Sequence, residues 1–110
     1  MVTVSIKDEY VEVLSALGDL QVAMDLAIQR YTIEQITAKI TDLRKKNTHY
    51  QAKYGMDYLT FNQEISHNES FINNLESKVN NLWEIDLADW EFCYKGIEDW
   101  TQKLQSILLM

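Results

Sequence analysis

Four acidic residues crowd one short stretch of this chain, and carboxylates are the side chains that hold a hard cation such as Mg²⁺. They are Glu84, Asp86, Asp89 and Glu91. Helical spacing puts Asp86 and Asp89 on one face, as two ligands of one ion would be. Metal sites in helical bundles, however, draw their ligands from several helices, and acids near the start of a helix favour its dipole without any ligand. We therefore predict that these acids bind no metal.

The histidines and the single cysteine form no catalytic pattern. His49 lies in a basic helical segment and His67 in a polar linker, and neither has a serine or cysteine at a spacing that suggests a nucleophile and base. A glycine-rich phosphate loop is also missing from the sequence. Cys93 has no second cysteine for a disulfide or a zinc site, so it is predicted to be a core thiol. We predict that the protein is not an enzyme and uses no cofactor.

Aromatic side chains are the remaining candidates for function. They fit core packing, because aromatic rings bury large areas, but tryptophan and tyrosine are also the usual anchors of protein interfaces. The sequence leaves both interpretations open. The candidate partner-binding residues are Tyr54, Tyr58, Phe61, Trp83, Trp90 and Phe92.

A long helix must position many of these groups. Helical periodicity runs from Leu20 to about Lys53, and within it a seam of residues steps by alternating four and three positions, as in a coiled coil. A capping-box pattern at Thr32 to Gln35 leaves a break near Tyr31 open. The seam consists of Val22, Leu26, Gln29, Ile33, Ile36, Ile40, Leu43, Asn47, Tyr50 and Tyr54.

The length of this helix predicts a second chain. A helix of roughly 34 residues is about 50 Å long, whereas a compact monomer of this size has a radius of gyration near 13 Å. We expect a homodimer. The sequence leaves open whether the assembly is a dimer or a tetramer and whether the helices pair parallel or antiparallel. Asn47 is interpreted as a polar seam residue that fixes register, unless the seam ends before it. The predicted dimer seam comprises Leu26, Ile33, Ile36, Ile40, Leu43, Asn47 and Tyr50.

The N-terminal region, residues 1–19, is predicted to be a strand and helix that help dimerisation. Apolar Val2, Val4 and Ile6 alternate with polar residues, a pattern typical of a half-buried strand that pairs with another copy of itself. A short amphipathic helix from Asp8 to Leu17 comes next, and Gly18 and Asp19 end it and begin the long helix of residues 20–55.

The C-terminal region, residues 56–110, is predicted to be helical, acidic and partner-binding. Gly55 is a plausible helix stop and Asp57 a cap for the next helix, and Asn68 can cap a further helix whose apolar face includes Val79. The net charge of −7 arises entirely here, because residues 1–55 carry seven acids and seven bases whereas residues 56–110 carry ten acids and three bases. An acidic half suits a basic protein partner, unless the charges only solvate helix faces.

Sequence features also bear on the compartment. No apolar run reaches the length needed to cross a bilayer, and the start lacks the basic-then-apolar pattern of a secretory signal. We therefore expect a cytoplasmic protein without membrane contact.

The segment from Ala27 through Phe61 resembles small prokaryotic antitoxins, in which a coiled helix ends in a signature of the form KYGMS, aromatic, EEF. Here it reads Tyr50-Gln-Ala-Lys-Tyr54-Gly-Met-Asp57-Tyr58-Leu-Thr-Phe61. Asp57 replaces the family's serine, a swap between capping residues, and Thr60 with Phe61 replaces the acidic-then-Phe step. Such antitoxins continue into a helix rich in Trp and Glu, which Trp83 to Trp100 resembles. The resemblance implies a protein that neutralises a small basic toxin.

The order of strand, helix, glycine turn and helix also resembles a ribbon-helix-helix module, which reads DNA in many antitoxins. The resemblance implies that Thr3, Ser5 and Lys7 point at base edges. Affinity for DNA comes mainly from phosphate neutralisation. Lys7 is the one basic residue near the predicted strand, whereas Asp8 and other nearby residues are acidic. We therefore expect DNA binding to be weak.

Together these features predict a mainly α fold with a short N-terminal strand, a long coiled-coil-like central helix and a C-terminal helical segment, assembled as a dimeric helical bundle. The predicted function is stoichiometric neutralisation of a basic toxin. The alternative is a non-inhibitory oligomeric helical scaffold.

Overall fold

A computed structural model describes residues 1–78 and 82–110 of the chain. These residues form five helices and no strand: α1 (Asp8–Leu17), α2 (Leu20–Tyr54), α3 (Tyr58–His67), α4 (Glu69–Lys78) and α5 (Trp83–Leu108). The mainly α class and the very long central helix are thereby confirmed. Val79, which was expected on the apolar face of α4, lies outside the described residues. Among the described helices, none is long and apolar enough to cross a membrane.

Polar side chains fix several helix boundaries, as their positions in the sequence predicted. The Val22 amide donates to Asp19 at the start of α2, the Thr60 amide donates to Asp57 at the start of α3, and the Phe71 amide donates to Asn68 at the start of α4. Each carboxylate or amide oxygen satisfies a backbone donor that the first helical turn leaves without a partner. The backbone bond from Thr60 also holds the pKa of Asp57 below its ordinary value.

The end of α2 depends on a glycine. Gly55 has a φ of 71°, in the left-handed region that side chains disfavour, and its amide donates to the carbonyl of Gln51. This is the predicted helix stop. The break near Tyr31 does not occur, because α2 continues through Thr32, whose hydroxyl donates to the carbonyl of Ile28.

The chain divides into two compact units, Met1–Gln35 and Ile36–Met110. The first unit contains α1 and the beginning of α2, and none of its residues is buried. Residues 1–7 adopt no regular secondary structure in the single chain, so the strand that was expected to pair with another copy stays a prediction. Within this unit only a few apolar side chains, such as Val11 and Leu14 of α1, are even half-buried.

The second unit holds the core. Its centre is a cluster of large side chains from the end of α2 and from α3, α4 and α5, in which Phe61 and Trp90 have no exposed surface. Cys93 of α5 is also fully buried. Helix α5 is continuous from Trp83, and its core face goes on through half-buried Trp100, Leu104 and Ile107. The prediction that Cys93 is a core thiol is confirmed, and burial raises the pKa of that thiol.

Candidate functional site

Side-chain hydrogen bonds join the C-terminal part of α2 to α5. The Trp90 indole donates to the Asn47 side-chain oxygen at 2.7 Å, the Tyr50 hydroxyl donates to Asp89 at 2.5 Å, and the Tyr54 hydroxyl donates to Asp86. Later residues of α2 therefore bind earlier residues of α5, so the two helices run antiparallel. The two helices pack within one chain, and the predicted dimeric bundle stays a prediction.

Asp86 is bound by two side chains of α2. Besides Tyr54, it accepts a hydrogen bond from the Lys53 ammonium at 2.6 Å, and its side chain is only 16% exposed. Burial raises the pKa of Asp86, but the hydrogen bonds from Lys53 and Tyr54 and the charge of Lys53 lower it more, so the pKa lies below its ordinary value. Asp86 is therefore a fixed structural anion.

Asp89 has a similar role one turn further along α5. It accepts the Tyr50 hydroxyl, and the Lys46 ammonium lies 4.0 Å away. Burial raises the pKa of Tyr50, and the hydrogen bond to Asp89 raises it further, so the phenol remains a protonated donor. Both carboxylates are thus engaged by α2.

No group of three histidine, cysteine or acidic side chains suited to a metal ion occurs in the described parts of the chain. Glu64 and His67 lie three residues apart on α3, a spacing that metal-binding bundles use in pairs. The Glu64 carboxylate accepts a hydrogen bond from the Asn68 amide instead.

Aromatic rings fill the space between α2, α3 and α5. The ring centres of Tyr54 and Phe61 lie 4.6 Å apart, and those of Phe61 and Trp90 lie 5.2 Å apart. Tyr58 stacks on Tyr94 at 4.8 Å. At these separations tilted and offset ring pairs are favourable beyond the area that they bury. The signature segment of residues 50–61 therefore packs as one aromatic core.

Five of the six candidate partner-binding residues are core residues of the single chain. Phe61 and Trp90 are fully buried, and Tyr54, Tyr58 and Trp83 are between 6% and 8% exposed. Phe92 differs, because 67% of its surface is exposed. Of the six, only Phe92 can contact a partner without opening the core.

The structure also divides the predicted dimer seam. Ile36, Ile40, Leu43 and Tyr50 are buried within the second unit, where Leu43 lies against Gly96 of α5 and Tyr50 bonds to Asp89 of α5. Asn47 is half-buried and accepts the Trp90 indole proton, so it satisfies a donor of its own chain. Leu26, in the first unit, is 49% exposed and Ile33 is half-buried. Only this first part of the seam remains open to a second copy.

The predicted DNA-contacting residues are exposed. Thr3 and Ser5 lie in the irregular segment before α1, and Lys7 precedes the first residue of that helix. No charged side chain other than Lys7 lies in residues 1–7, and Asp8 and Glu9 come immediately after it. Their contact with DNA stays a prediction.

A surface that the sequence interpretation missed lies on the outer side of α5. Ile85 is 66% exposed and lies seven residues before Phe92, so both side chains are on the same face, with exposed Ala88 between them. Glu84, Glu91 and Glu98 repeat at the same interval beside them. The sequence did contain a signal for this surface. An acidic residue followed by an apolar one occurs at residues 84–85 and again seven residues later at 91–92.

An open cleft of about 650 Å³ lies between α2 and α5. It contains no histidine, cysteine or serine among its described lining residues, and so offers no nucleophile with its base. The lining residues are Arg44, Asn47, Thr48, Tyr94, Ile97 and Glu98.

Comparison of this chain with protein-family models, with curated proteins and with solved structures finds no match.

Proposed function

We propose that this protein is an antitoxin-like inhibitor that binds a small basic protein in fixed ratio and thereby covers its active surface. Two features of the sequence support this function. The chain has a net charge of −7 that arises in residues 56–110, and residues 27–61 resemble the antitoxin signature. Antitoxins of this kind act in the cytoplasm, which is where we propose that the protein works.

The observation that carries the proposal is the outer face of α5. A large aromatic side chain, Phe92, is 67% exposed next to Glu91 in the sequence, eight residues after Glu84 and six before Glu98. Interfaces are commonly anchored by a few aromatic residues, while surrounding charges set specificity and the rate of encounter. This combination of anchor and carboxylates suits a partner of opposite charge.

The buried aromatic residues have a supporting role in this mechanism. Trp90 and Phe61 hold the inner face of α5 against the core, and the bonds from Tyr50 to Asp89 and from Tyr54 to Asp86 fix the helix against α2. A rigid helix loses less conformational freedom on binding than a loop does. The outer face of α5 is therefore ready to bind without refolding.

Self-association of the first unit is part of the same proposal. Large apolar side chains remain exposed throughout residues 1–35, and contiguous apolar surface usually marks an interaction site. We propose that a second copy covers them, with the N-terminal segments pairing as strands and the start of α2 as a helix. DNA binding by Thr3, Ser5 and Lys7 would be a weak addition. The exposed residues are Met1, Val2, Val4, Ile6, Tyr10, Val13, Leu17, Val22, Leu26, Ile28 and Tyr31.

The same exposed residues favour the second candidate function, a non-inhibitory oligomeric scaffold. The two functions differ in what accompanies the protein in the cell. An inhibitor is bound to its target, whereas a scaffold of this kind is isolated as a homo-oligomer alone.

Co-purification tests the choice. The tagged full chain is isolated from its native cell extract, and the mass of the eluted complex is measured by light scattering and its components are identified by mass spectrometry. We expect one small basic protein in fixed ratio, whose toxicity the full chain suppresses when both are expressed together. Recovery of a homo-oligomer alone would reject the inhibitor and leave the scaffold.

A further inference from the structure

Two rows of side chains run along the exposed part of α5. Ile85 and Phe92 form one row on its outer face, and Glu84, Glu91 and Glu98 form a second row along its flank, where Glu98 also lines the cleft beside Arg44. Because 3.6 residues make one turn, positions seven apart nearly superimpose along a helix and lie about 10 Å apart. The two rows therefore give the helix one apolar edge and one acidic edge.

Among the described residues, the two apolar side chains of this face are mostly exposed. Ile85 and Phe92 are 66% and 67% exposed, whereas Trp90 and Cys93 on the opposite side of α5 have no exposed surface. Glu84 and Glu98 are exposed and Glu91 is half-buried, so their charges reach solvent. Two bulky apolar side chains are exposed to water beside carboxylates. Another molecule that covered them would lower the free energy by removing their apolar surface from water.

We propose that the outer face of α5 binds an amphipathic helix of a basic partner protein. Apolar side chains at positions i, i+3 or i+4 and i+7 of that helix would contact Ile85, Ala88 and Phe92, and lysine or arginine residues along its flank would pair with Glu84, Glu91 and Glu98. Helices that bind in this way use such anchor spacing. The inference rests on the proposed function and names the segment of the partner that is bound.

Charge distinguishes this occupant from a second copy of the chain. Two copies of the face packed antiparallel would bring the rows of Glu84, Glu91 and Glu98 close to one another, and like charges across an interface are unfavourable. Two copies packed parallel would instead place each acidic row over the apolar row of the other copy. A basic helix instead neutralises the row. The face is therefore complementary to a different protein.

Lys95 offers a sharper test, because it lies seven residues after Ala88, between the two rows of the same surface. Its ammonium is 2.8 Å from the Glu91 carboxylate, which raises the pKa of Lys95, and its side chain is 67% exposed. An incoming lysine or arginine must compete with it for Glu91. Lys95→Gln removes this competing charge and should therefore strengthen binding. If the partner bound elsewhere, the same substitution would leave binding unchanged.

The test uses two synthetic peptides of identical composition. In the first, leucines at i, i+3, i+4 and i+7 form one helical face with lysines along its flank, and in the second the same residues are scrambled. Binding to the full-length protein is measured by fluorescence anisotropy. We expect the patterned peptide to bind about tenfold more tightly than the scrambled one, because only it aligns apolar contacts with charge pairs.

Variants locate the binding surface. Ile85→Ser with Phe92→Ser should abolish the preference for the patterned peptide, whereas Lys95→Gln should increase it severalfold. Leu59→Ser is the matched control, because Leu59 is a 59% exposed apolar residue on α3, and it should leave binding unchanged. Circular dichroism checks that each variant keeps its helical content.

Equal binding of the two peptides, binding that survives loss of Ile85 and Phe92, or no binding by the unaltered protein would overturn the inference. A fall in the molar mass of the protein alone on substituting Ile85 and Phe92 would also overturn it, since a second copy would then be the occupant. If a basic protein still co-purifies in any of these cases, the proposed function stands and only the assigned surface is wrong.

Discussion

At the scale of single residues, the position of each aromatic ring decides whether it stabilises the fold or is available to a partner. Phe61 and Phe92 are chemically identical, yet the first has no exposed surface and the second is 67% exposed. Residue type alone could not separate them. Their contrast provides a direct test.

We predict that Phe61→Ala lowers the free energy of unfolding by about 3–5 kcal/mol, because it leaves a cavity between Tyr54, Phe71 and Trp90. Phe92→Ala should change it by less than about 0.5 kcal/mol, as is usual for exposed positions. Chemical denaturation followed by tryptophan fluorescence measures both. Equal losses in the two variants would contradict the placement of these rings.

Asp86 gives a second test at this scale. We predict that Asp86→Asn lowers the free energy of unfolding at neutral pH by about 1.5–3 kcal/mol, since a charged acceptor is lost to both Lys53 and Tyr54. Glu84→Gln on the exposed face of the same helix is the control and should have little effect. Denaturation at pH 7 measures the difference.

The pKa of Asp86 fixes the sign of the pH dependence. Because this pKa is lower in the folded chain than its ordinary value, the stabilisation is fully present above about pH 4 and is lost as the pH falls through the folded pKa. The stability difference between the unaltered protein and Asp86→Asn should therefore shrink below about pH 4. A difference that stays constant down to about pH 2 would show that the charge of Asp86 does not contribute.

At the scale of helices, the sequence predicts which helices form and where they begin and end better than it predicts what each helix packs against. The helix stop at Gly55 and the caps at Asp57 and Asn68 were predictable because each depends on local chemistry. The seam of α2 was predicted as well, but its covering surface was not. Apolar residues at alternating steps of three and four show that a helix packs there, and α5 of the same chain satisfies that pattern as well as a second copy would.

The same limit explains why the sequence did not predict which residues of the candidate site are exposed. Tryptophan fits both a core and an interface, so Trp83 and Trp90 could not be assigned from their types. Ile85 was missed because the helical periodicity of α5 follows its apolar neighbours Trp83, Leu87 and Trp90, which define the core face. Only the tertiary fold, which puts Trp90 inside, shows that Ile85 lies on the outer face.

The contact between Gly96 and Leu43 tests the antiparallel register of α2 and α5. A methyl group on Gly96 would come within 3.0 Å of the Leu43 side chain, whereas alanine inside a helix is otherwise favoured over glycine by about 1 kcal/mol. We predict that Gly96→Ala is more favourable, by at least about 0.5 kcal/mol, in a Leu43→Ala background than in the unaltered chain. Thermal unfolding of the four proteins measures this coupling. If the stability effects of the two substitutions were additive, Gly96 and Leu43 would not be in contact.

At the scale of the whole molecule, two sets of exposed apolar side chains have different predicted occupants. Residues 1–35 carry the larger set, beside both acids and bases, and this unit buries no side chain of its own. The outer face of α5 carries a smaller set beside carboxylates. Self-association and partner binding should therefore be separable by substitution.

We predict that the purified protein is a homodimer and that Leu26→Asp converts it to a monomer of 12.9 kDa, because a carboxylate at an open seam position would be buried without a partner charge. Leu59→Asp, at an exposed apolar position of α3, should leave the dimer intact, and Phe92→Ser should do the same. Light scattering over a concentration series measures all four masses. A monomeric unaltered protein would refute self-association, and dissociation caused by Phe92→Ser would assign the dimer interface to α5. Retention of the dimer by Leu26→Asp would show that α2 does not form the interface through its open seam.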